Sequence, residues 1–168
     1  GGAQVLLGIY ALAFQIYGDF SGYSDIARGT SLLMGIELNV NFRFPYFVRS
    51  APEFWRHWHI SLSTWLRDYL YIPLGGSRYG SAKTKRNLAL TMLLGGLWHG
   101  ASWVFVLWGG LHGMALIVHR QWVRLSKRLW SDSKRLPDLA RQVCHVGAVM
   151  LTFYFVCFCW IFFRAIDL

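Results

Sequence analysis

The 168-residue sequence contains only three cysteines and has no Cys-x-x-Cys pair. An odd count without paired spacing excludes a disulfide framework and the usual zinc sites, and no metal site is expected. Cys144, Cys157 and Cys159 border or lie within an apolar run, where thiols behave as small hydrophobic residues. The sequence also lacks a Gly-x-Ser-x-Gly elbow and a catalytic Cys–His signature. An enzyme with this sequence would therefore rely on histidine-assisted transfer to an external nucleophile.

Acidic residues are scarce, with 8 Asp and Glu against 17 Lys and Arg, so the formal net charge is +9. The basic residues cluster beside apolar segments, as the positive-inside rule requires of cytoplasmic loops. This arrangement favours a membrane topology over nucleic-acid binding. The sequence is 55% hydrophobic, above the roughly 45–50% of soluble domains. The composition predicts an integral membrane protein whose partner is the lipid bilayer and not nucleic acid.

The sequence shows no internal repeat, no low-complexity tract and no charged region that would precede a cleavable signal peptide. Apolar sequence begins at once. We therefore expect residues 1–168 to form a single partial membrane domain of a longer protein, of which the N-terminal and C-terminal parts are missing.

Two apolar runs are candidate membrane helices. Residues 143–163 contain no Lys, Arg, Asp or Glu over 21 residues, against the roughly 20 needed to span a bilayer. Residues 3–17 form a shorter run, which extends to Ala27 if the polar stretch after Gly18 is also helical. Asp19 and Asp25 then lie at the membrane boundary. They either cap a helix end or line a polar cavity.

A long amphipathic helix is predicted for residues 50–72. Ser50 and Glu53 match a capping box, and apolar residues then recur at steps of three and four, as on one helical face: Trp55, Trp58, Leu62, Trp65, Tyr69 and Ile72. Such a helix lies in the membrane interface or packs on a helix bundle. The sequence predicts an interfacial connector before it, at residues 29–49, and a basic cytoplasmic loop after it, at residues 75–86.

Residues 87–119 contain no Lys, Arg, Asp or Glu, and both flanks of this stretch are basic. Both flanks prefer the cytoplasm, which favours a re-entrant pair of helices that turns at His99–Gly100. Its tip would lie about 18 Å from Asn87 at 1.5 Å per residue. A single tilted span through residues 97–118 is the alternative. The Gly96-x-x-x-Gly100 and Gly109-x-x-x-Gly113 patterns predict close approach of two helix backbones.

Two histidines, His99 and His112, interrupt this uncharged stretch. Ionisable residues in membrane segments are costly and point to function, and a neutral imidazole suits general-base work on a hydroxyl. A satisfied core histidine is the alternative, and Gly100 and Trp98 beside His99 favour a pocket wall. His57 and His59 diverge by about 200° on a helix, which disfavours a metal pair.

Seven stretches resemble motifs of the membrane-bound O-acyltransferase (MBOAT) family, in family order, and most closely those of its alginate O-acetyltransferase-like members. These stretches are DFSGYSD at 19–25, NFRFPY at 41–46, FWRHWHISLSTWLRDYLYIPLGGS at 54–77, RN at 86–87, GGLWHGA at 95–101, WGGLHG at 108–113 and FFRA at 162–165. The resemblance implies an all-α membrane fold with transmembrane, re-entrant and interfacial amphipathic helices. It covers a middle-to-late part of the family's length.

The resemblance also implies a function and a site. His99 of the Trp-His-Gly motif would be catalytic, with His59 of the Arg-x-x-His-x-Ser motif as its partner. Trp98, His112, Asp19 and Asp25 are predicted to contact substrate. The acyl donor would be a co-substrate, either acetyl-CoA or an acyl carrier, with no tightly bound cofactor.

The family's setting supplies the remaining expectations. The protein would be a multi-pass protein of the bacterial inner membrane, and an extracytoplasmic acetyltransferase partner would pass acetyl groups to an exported polysaccharide such as alginate. D-alanyl or other acyl transfer to a cell-envelope polymer is the alternative. A transporter segment with a proton path along His99 is a second alternative, although the inverted repeat of many transporters is absent.

Overall fold

A computed structural model describes residues 1–129 and 137–165. Within these residues, all regular secondary structure is helical, which confirms the predicted all-α class. The helices are α1 (Gly2–Leu33), α2 (Ala51–His57), α3 (Ile60–Leu66), a π-helical segment (Arg67–Tyr71), α4 (Ser81–His99), α5 (Trp103–Leu129) and α6 (Asp138–Arg164). Part of the basic segment predicted after α5, with Lys134 and Arg135, lies outside the described residues.

Helices α1 and α6 are long and apolar enough to cross a membrane, with mean hydropathy of 1.2 and 2.2 in their most apolar windows. They run in the same direction, because Tyr10 contacts Phe153 at a ring-centroid distance of 5.8 Å, while Ile16 and Phe20 share a cavity with Phe163 near the end of α6.

Helix α1 continues to Leu33, well beyond the apolar run that predicted it. Asp19 and Asp25 therefore lie inside the helix, and their interpretation as caps of a helix end is wrong. The polar stretch from Gly18 to Arg28 remains helical because a helix satisfies its own backbone hydrogen bonds whatever its side chains are.

The prediction of one continuous helix over residues 50–72 is wrong. Ser50 does cap α2, accepting a hydrogen bond from the Glu53 amide. However, the chain becomes extended at Trp58 and left-handed at His59, where φ is 43° and ψ is 55°. The helix resumes as α3 and passes into the π-helical segment. The apolar stripe is consequently divided, with Trp58 and Leu62 buried and Trp65, Tyr69 and Ile72 largely exposed.

The break at Trp58–His59 turns α2 and α3 into a V. Helix α2 follows α5, with Phe54 stacked on His112 and Trp55 against Trp108. The chain after the break returns along α4, where the Leu66 side chain faces Gly95. The tip of the V is therefore the break itself, and it lies at the level of the α4–α5 turn.

Helices α4 and α5 form an antiparallel hairpin that turns between His99 and Trp103. The structure confirms the predicted turn at His99–Gly100 and excludes one continuous span through residues 97–118. The predicted basic loop at 75–86 is shorter than expected, because α4 begins at Ser81 and takes Lys83 and Lys85 into its first turns.

Glycine allows the two hairpin helices to touch. A Cβ atom on Gly96 would collide with the carbonyl oxygen of Phe105, and one on Gly109 would collide with that of Met92. Gly113 also lies at this contact, close to Met92, whereas Gly100 is past the end of α4. The predicted close approach is thus confirmed for Gly96, Gly109 and Gly113.

We expect Gly96→Ala to destabilise the complete protein by about 1–3 kcal/mol, since an added methyl group must push the helices apart. The measurement is the thermal unfolding midpoint in detergent. Gly147→Ala on α6 is the matched control, because nothing lies within 4 Å of a Cβ atom there. Equal unfolding midpoints for the two variants would contradict this account of the hairpin.

An aromatic core joins α1, the connector before α2, and α6. Its buried members include Tyr46, Phe54, Trp58 and Trp160. The Tyr46 hydroxyl donates a 2.6 Å hydrogen bond to the carbonyl oxygen of Ala13, which ties the connector to α1. This core supports the V tip from behind, because Trp58 contacts both Phe42 and Trp160.

Candidate active site

The tip of the α2–α3 V and the tip of the α4–α5 hairpin face a common cavity of about 210 Å³. His59 comes from the first tip and His99 from the second. Aromatic and aliphatic side chains make up the rest of the lining: Ile16, Phe20, Trp58, Trp98, Trp108, Trp160 and Phe163. The structure therefore brings the two predicted catalytic histidines to one apolar cavity, although 40 residues separate them in the sequence.

His99 is the last residue of α4 and is held by aromatic rings. Its ring meets Trp108 and Phe163 edge-on, each at a centroid distance of 5.2 Å, and Trp98 at 5.1 Å. Within the described part of the chain, no side chain or backbone group hydrogen-bonds to its ring nitrogens. Packing fixes the ring, while its nitrogens stay available to a reactant in the cavity.

His59 has an unusual backbone as well as a position in the cavity. Few non-glycine residues adopt a left-handed conformation, and such residues cluster at functional sites. Phe20 meets the imidazole edge-on at 4.7 Å, and the Ser61 hydroxyl lies 3.4 Å from its Nδ1 atom. Trp98 contacts the rings of both histidines, at 6.2 Å from His59, and so forms a shared wall.

His59 lies between α2 and α3, outside the two helices long enough to span a membrane. Burial lowers the pKa of His59 to about 4, with a smaller contribution from the neighbouring His99. The ring is therefore neutral at pH 7, and it holds a proton more weakly than a free imidazole does. On its other side, His59 borders a more polar cavity of about 360 Å³, whose lining includes Arg28, Asn41 and Ser61.

His112 lies behind the cavity, not in its wall. It is 1% exposed and is enclosed by Phe54, Trp55, Trp108 and Phe155. Both of its ring nitrogens are buried, and no described residue hydrogen-bonds to them. His112 can reach the cavity only through Trp108, which contacts His99 on its other face. His112 thus has a packing position among the described residues, as expected of a supporting pocket or packing residue, and its contact with substrate stays a prediction.

Asp19 and Asp25 are exposed on α1 and do not line the cavity of the two histidines. Asp25 forms a surface ion pair with Arg28 at 3.5 Å, and such exposed pairs contribute little to stability. The α1 residues that do reach the cavity are Ile16 and Phe20, from the neighbouring face of the helix. The two carboxylates therefore lie outside the cavity of His59 and His99.

The sequence did not single out several residues of the cavity wall. Phe20, Trp108 and Phe163 lie in the motif stretches at 19–25, 108–113 and 162–165, but apolar side chains in a membrane protein carry no separate functional signal. Only the meeting of α1, α5 and α6 at this level shows their role. They give the cavity of the two imidazoles its apolar lining.

The cavity suits proton transfer better than metal or nucleophile chemistry. None of the described residues that line it carries a carboxylate or a thiol, and this part of the chain contains no group of three His, Cys, Asp or Glu side chains able to hold a metal ion. Two imidazoles in an apolar space can accept and return a proton during attack by a substrate hydroxyl. The dry walls also strengthen any electrostatic interaction with a charge that develops there.

The sequence is similar to a known protein family and to several curated proteins. The profile of MBOAT, the membrane-bound O-acyltransferase family, matches residues 2–165. A probable alginate O-acetylase AlgI of Pseudomonas putida is 49% identical over 162 residues, which cover 96% of this chain and 31% of the relative. A peptidoglycan O-acetyltransferase of Helicobacter pylori is 45% identical over 156 residues, covering 93% of this chain and 28% of the relative.

A teichoic acid D-alanyltransferase of Streptococcus thermophilus is more distant, at 36% identity over 134 residues, covering 76% of this chain and 32% of the relative. The chain therefore spans about 30% of the length of the curated relatives it matches. The three relatives carry names of acyl transfer to three different polymers. The family profile covers both histidine tips and the aromatic residues of the cavity wall.

Proposed function

This chain belongs to the membrane-bound O-acyltransferase family, and we propose that it forms the catalytic part of an enzyme that transfers an acyl group to a hydroxyl. The observation that carries this proposal is the single apolar cavity shared by His59 and His99. The two imidazoles come from separate helical tips, so they meet only when the α2–α3 V packs against the α4–α5 hairpin. A purely structural helix bundle does not require two histidines in one cavity.

The reaction can be written on these residues. The acceptor hydroxyl attacks the carbonyl carbon of an acyl thioester, and an imidazole takes the hydroxyl proton as the new C–O bond forms. The C–S bond then breaks, and the thiolate leaves with a proton returned by an imidazole. His99 is proposed as the general base, because packing alone holds its ring, and His59 as the second proton-transfer group. Trp98 forms the wall between them.

Acetyl is the proposed acyl group, supplied by acetyl-CoA or an acyl carrier as co-substrate. The proposed final acceptor is an exported polysaccharide such as alginate, reached through an extracytoplasmic acetyltransferase partner. The names of the alginate and peptidoglycan relatives support O-acetyl transfer. D-alanyl transfer is the alternative, supported by the more distant teichoic acid relative. The proposed location is the bacterial inner membrane, with several passes, of which α1 and α6 are two candidates.

The test uses the complete protein in inner-membrane vesicles from a strain that lacks its own copy. Vesicles receive radiolabelled acetyl-CoA, an acetyl-loaded carrier protein or a D-alanyl-loaded carrier protein in separate reactions. Label that becomes bound through an alkali-labile ester supports the proposal, and the productive donor identifies the acyl group. Labelling equal to that of vesicles without the protein, with all three donors, would refute acyl transfer.

A further inference from the structure

An extended segment of the connector crosses the tip of the α2–α3 V, and Asn41 lies at the crossing. The Asn41 carbonyl oxygen accepts a 3.0 Å hydrogen bond from the Ile60 amide. Its side-chain Oδ1 atom accepts a 3.1 Å hydrogen bond from the Ser61 amide. Asn41 thus holds both residues that follow His59.

These hydrogen bonds pair backbone amides at the N-terminus of α3 that would otherwise have no acceptor. The first amides of a helix have no partner within the helix, and the residue before a helix commonly supplies one with its side chain. His59 occupies that place in α3 but makes no capping hydrogen bond. Asn41 satisfies the first two amides in its place, from a segment 18 residues earlier.

The same contacts also determine where the His59 ring lies. A left-handed residue between an extended Trp58 and a helical Ile60 persists only if its surroundings hold it there. Behind the break, the Arg43 amide donates a 3.0 Å hydrogen bond to the carbonyl oxygen of His57. Ser61, fixed by Asn41, places its hydroxyl 3.4 Å from His59 Nδ1. Among the described residues, none hydrogen-bonds to the His59 Nε2 atom.

The polar side of Asn41 is anchored in turn. Its Nδ2 atom lies 3.5 Å from the hydroxyl oxygen of Ser24, a buried residue of α1. A spanning helix, the connector and the V tip are therefore linked through one amide side chain. An aliphatic residue of the same size would keep the backbone hydrogen bond from the Ile60 amide, but it would lose both side-chain contacts, to the Ser61 amide and to Ser24.

We propose that Asn41 is a positioning residue that holds His59 in its left-handed conformation, with the imidazole directed into the cavity of His99. The proposal rests on the proposed acyl transfer and adds to it a residue that touches neither substrate nor reacting atom. Asn41 acts through the His59 backbone and through Ser61.

The test compares Asn41→Leu with Asn41→Asp in the complete protein. Leucine matches the size of asparagine without an acceptor, whereas aspartate keeps an oxygen for the Ser61 amide. We expect Asn41→Leu to lower kcat by about 10- to 100-fold, the loss typical of a small misplacement of a catalytic group, with the KM for the acyl donor nearly unchanged. Asn41→Asp should recover most of that loss. Asn39→Ala, an exposed amide earlier in the connector, is the control and should keep most of the activity.

A second measurement does not depend on catalysis. Diethyl pyrocarbonate modifies accessible neutral imidazoles, and mass spectrometry gives the rate at each histidine. His59 should react faster in Asn41→Leu than in the unmodified protein, while the exposed His145 should react equally in both. An unchanged His59 rate, or full activity in Asn41→Leu, would overturn the proposal. A protein that transfers no acyl group but shows the His59 rate change would refute only the proposed function.

Discussion

Replacing His99 with alanine is expected to lower kcat for acyl transfer by about 10²–10⁴-fold, the usual contribution of a general acid or base. The side chain comes from the last residue of α4 and lines the cavity. No other ionisable side chain except His59 lines that cavity, so the described residues offer His99 no replacement. The measurement is esterified label formed per minute at saturating acyl donor, normalised to protein in the membrane.

The KM for the donor should change little in this variant, because an interaction made only in the transition state affects kcat and kcat/KM together. His145→Ala is the matched control. His145 is also a histidine on an apolar helix, but it is exposed and lies 15 residues before the cavity residue Trp160. If both alanine variants keep the activity of the unmodified protein, His99 is not the base.

The contrast between His99 and His112 shows what the sequence could not decide. Both are histidines beside glycine in one uncharged stretch, so composition alone does not separate them, and it is the resemblance that names His99 as catalytic. In the hairpin, His99 lies at the turn, whereas His112 lies about two and a half helical turns into α5 and is enclosed by rings. Tertiary packing places one imidazole in the cavity wall and buries the other behind it.

The α4–α5 hairpin was accessible to sequence reasoning for a physical reason. Basic flanks on both sides of an uncharged stretch require both ends on one side of the membrane, and glycines mark the turn and the contact. The basic flanks and the glycines all lie within or next to the hairpin in the sequence. The prediction of the turn at His99–Gly100 therefore succeeded without knowledge of any other element.

The break at Trp58–His59 was not accessible in that way. Apolar residues recur at helical spacing through it, and neither proline nor glycine occurs between Glu53 and Ile72. The partner that stabilises the break is Asn41, in a different segment. A pattern within one helix carries no information on such a distant hydrogen bond, so the continuous helix was the natural but wrong prediction.

The second large effect is expected at His59, and its backbone dictates the choice of variant. Asparagine tolerates the left-handed region better than most residues, so His59→Asn removes the imidazole with little backbone strain. We expect kcat to fall by about 10²-fold or more. His59→Ala loses the same ring and also carries about 1–2 kcal/mol of left-handed strain. Its activity should match that of His59→Asn, while its unfolding midpoint should be lower.

His59→Gly completes the comparison, since glycine adopts this conformation without steric cost. If the imidazole matters, all three variants lose activity to the same extent, whatever their order of stability. If activity instead follows stability, with glycine and asparagine active and alanine inactive, then His59 serves the fold and the assignment of a proton-transfer role fails. Unfolding midpoints in detergent and transfer rates in vesicles measure the two properties separately.

The double variant His59→Asn with His99→Ala asks whether the two imidazoles act as one unit. Residues that cooperate in a single step show strongly non-additive losses, because the second substitution removes what the first has already disabled. The shared cavity and the shared wall at Trp98 predict this behaviour. We therefore expect the double variant to be no more than about tenfold slower than His99→Ala alone. If the fold-loss in kcat of the double variant instead equals the product of the two single losses, the two histidines act in independent steps.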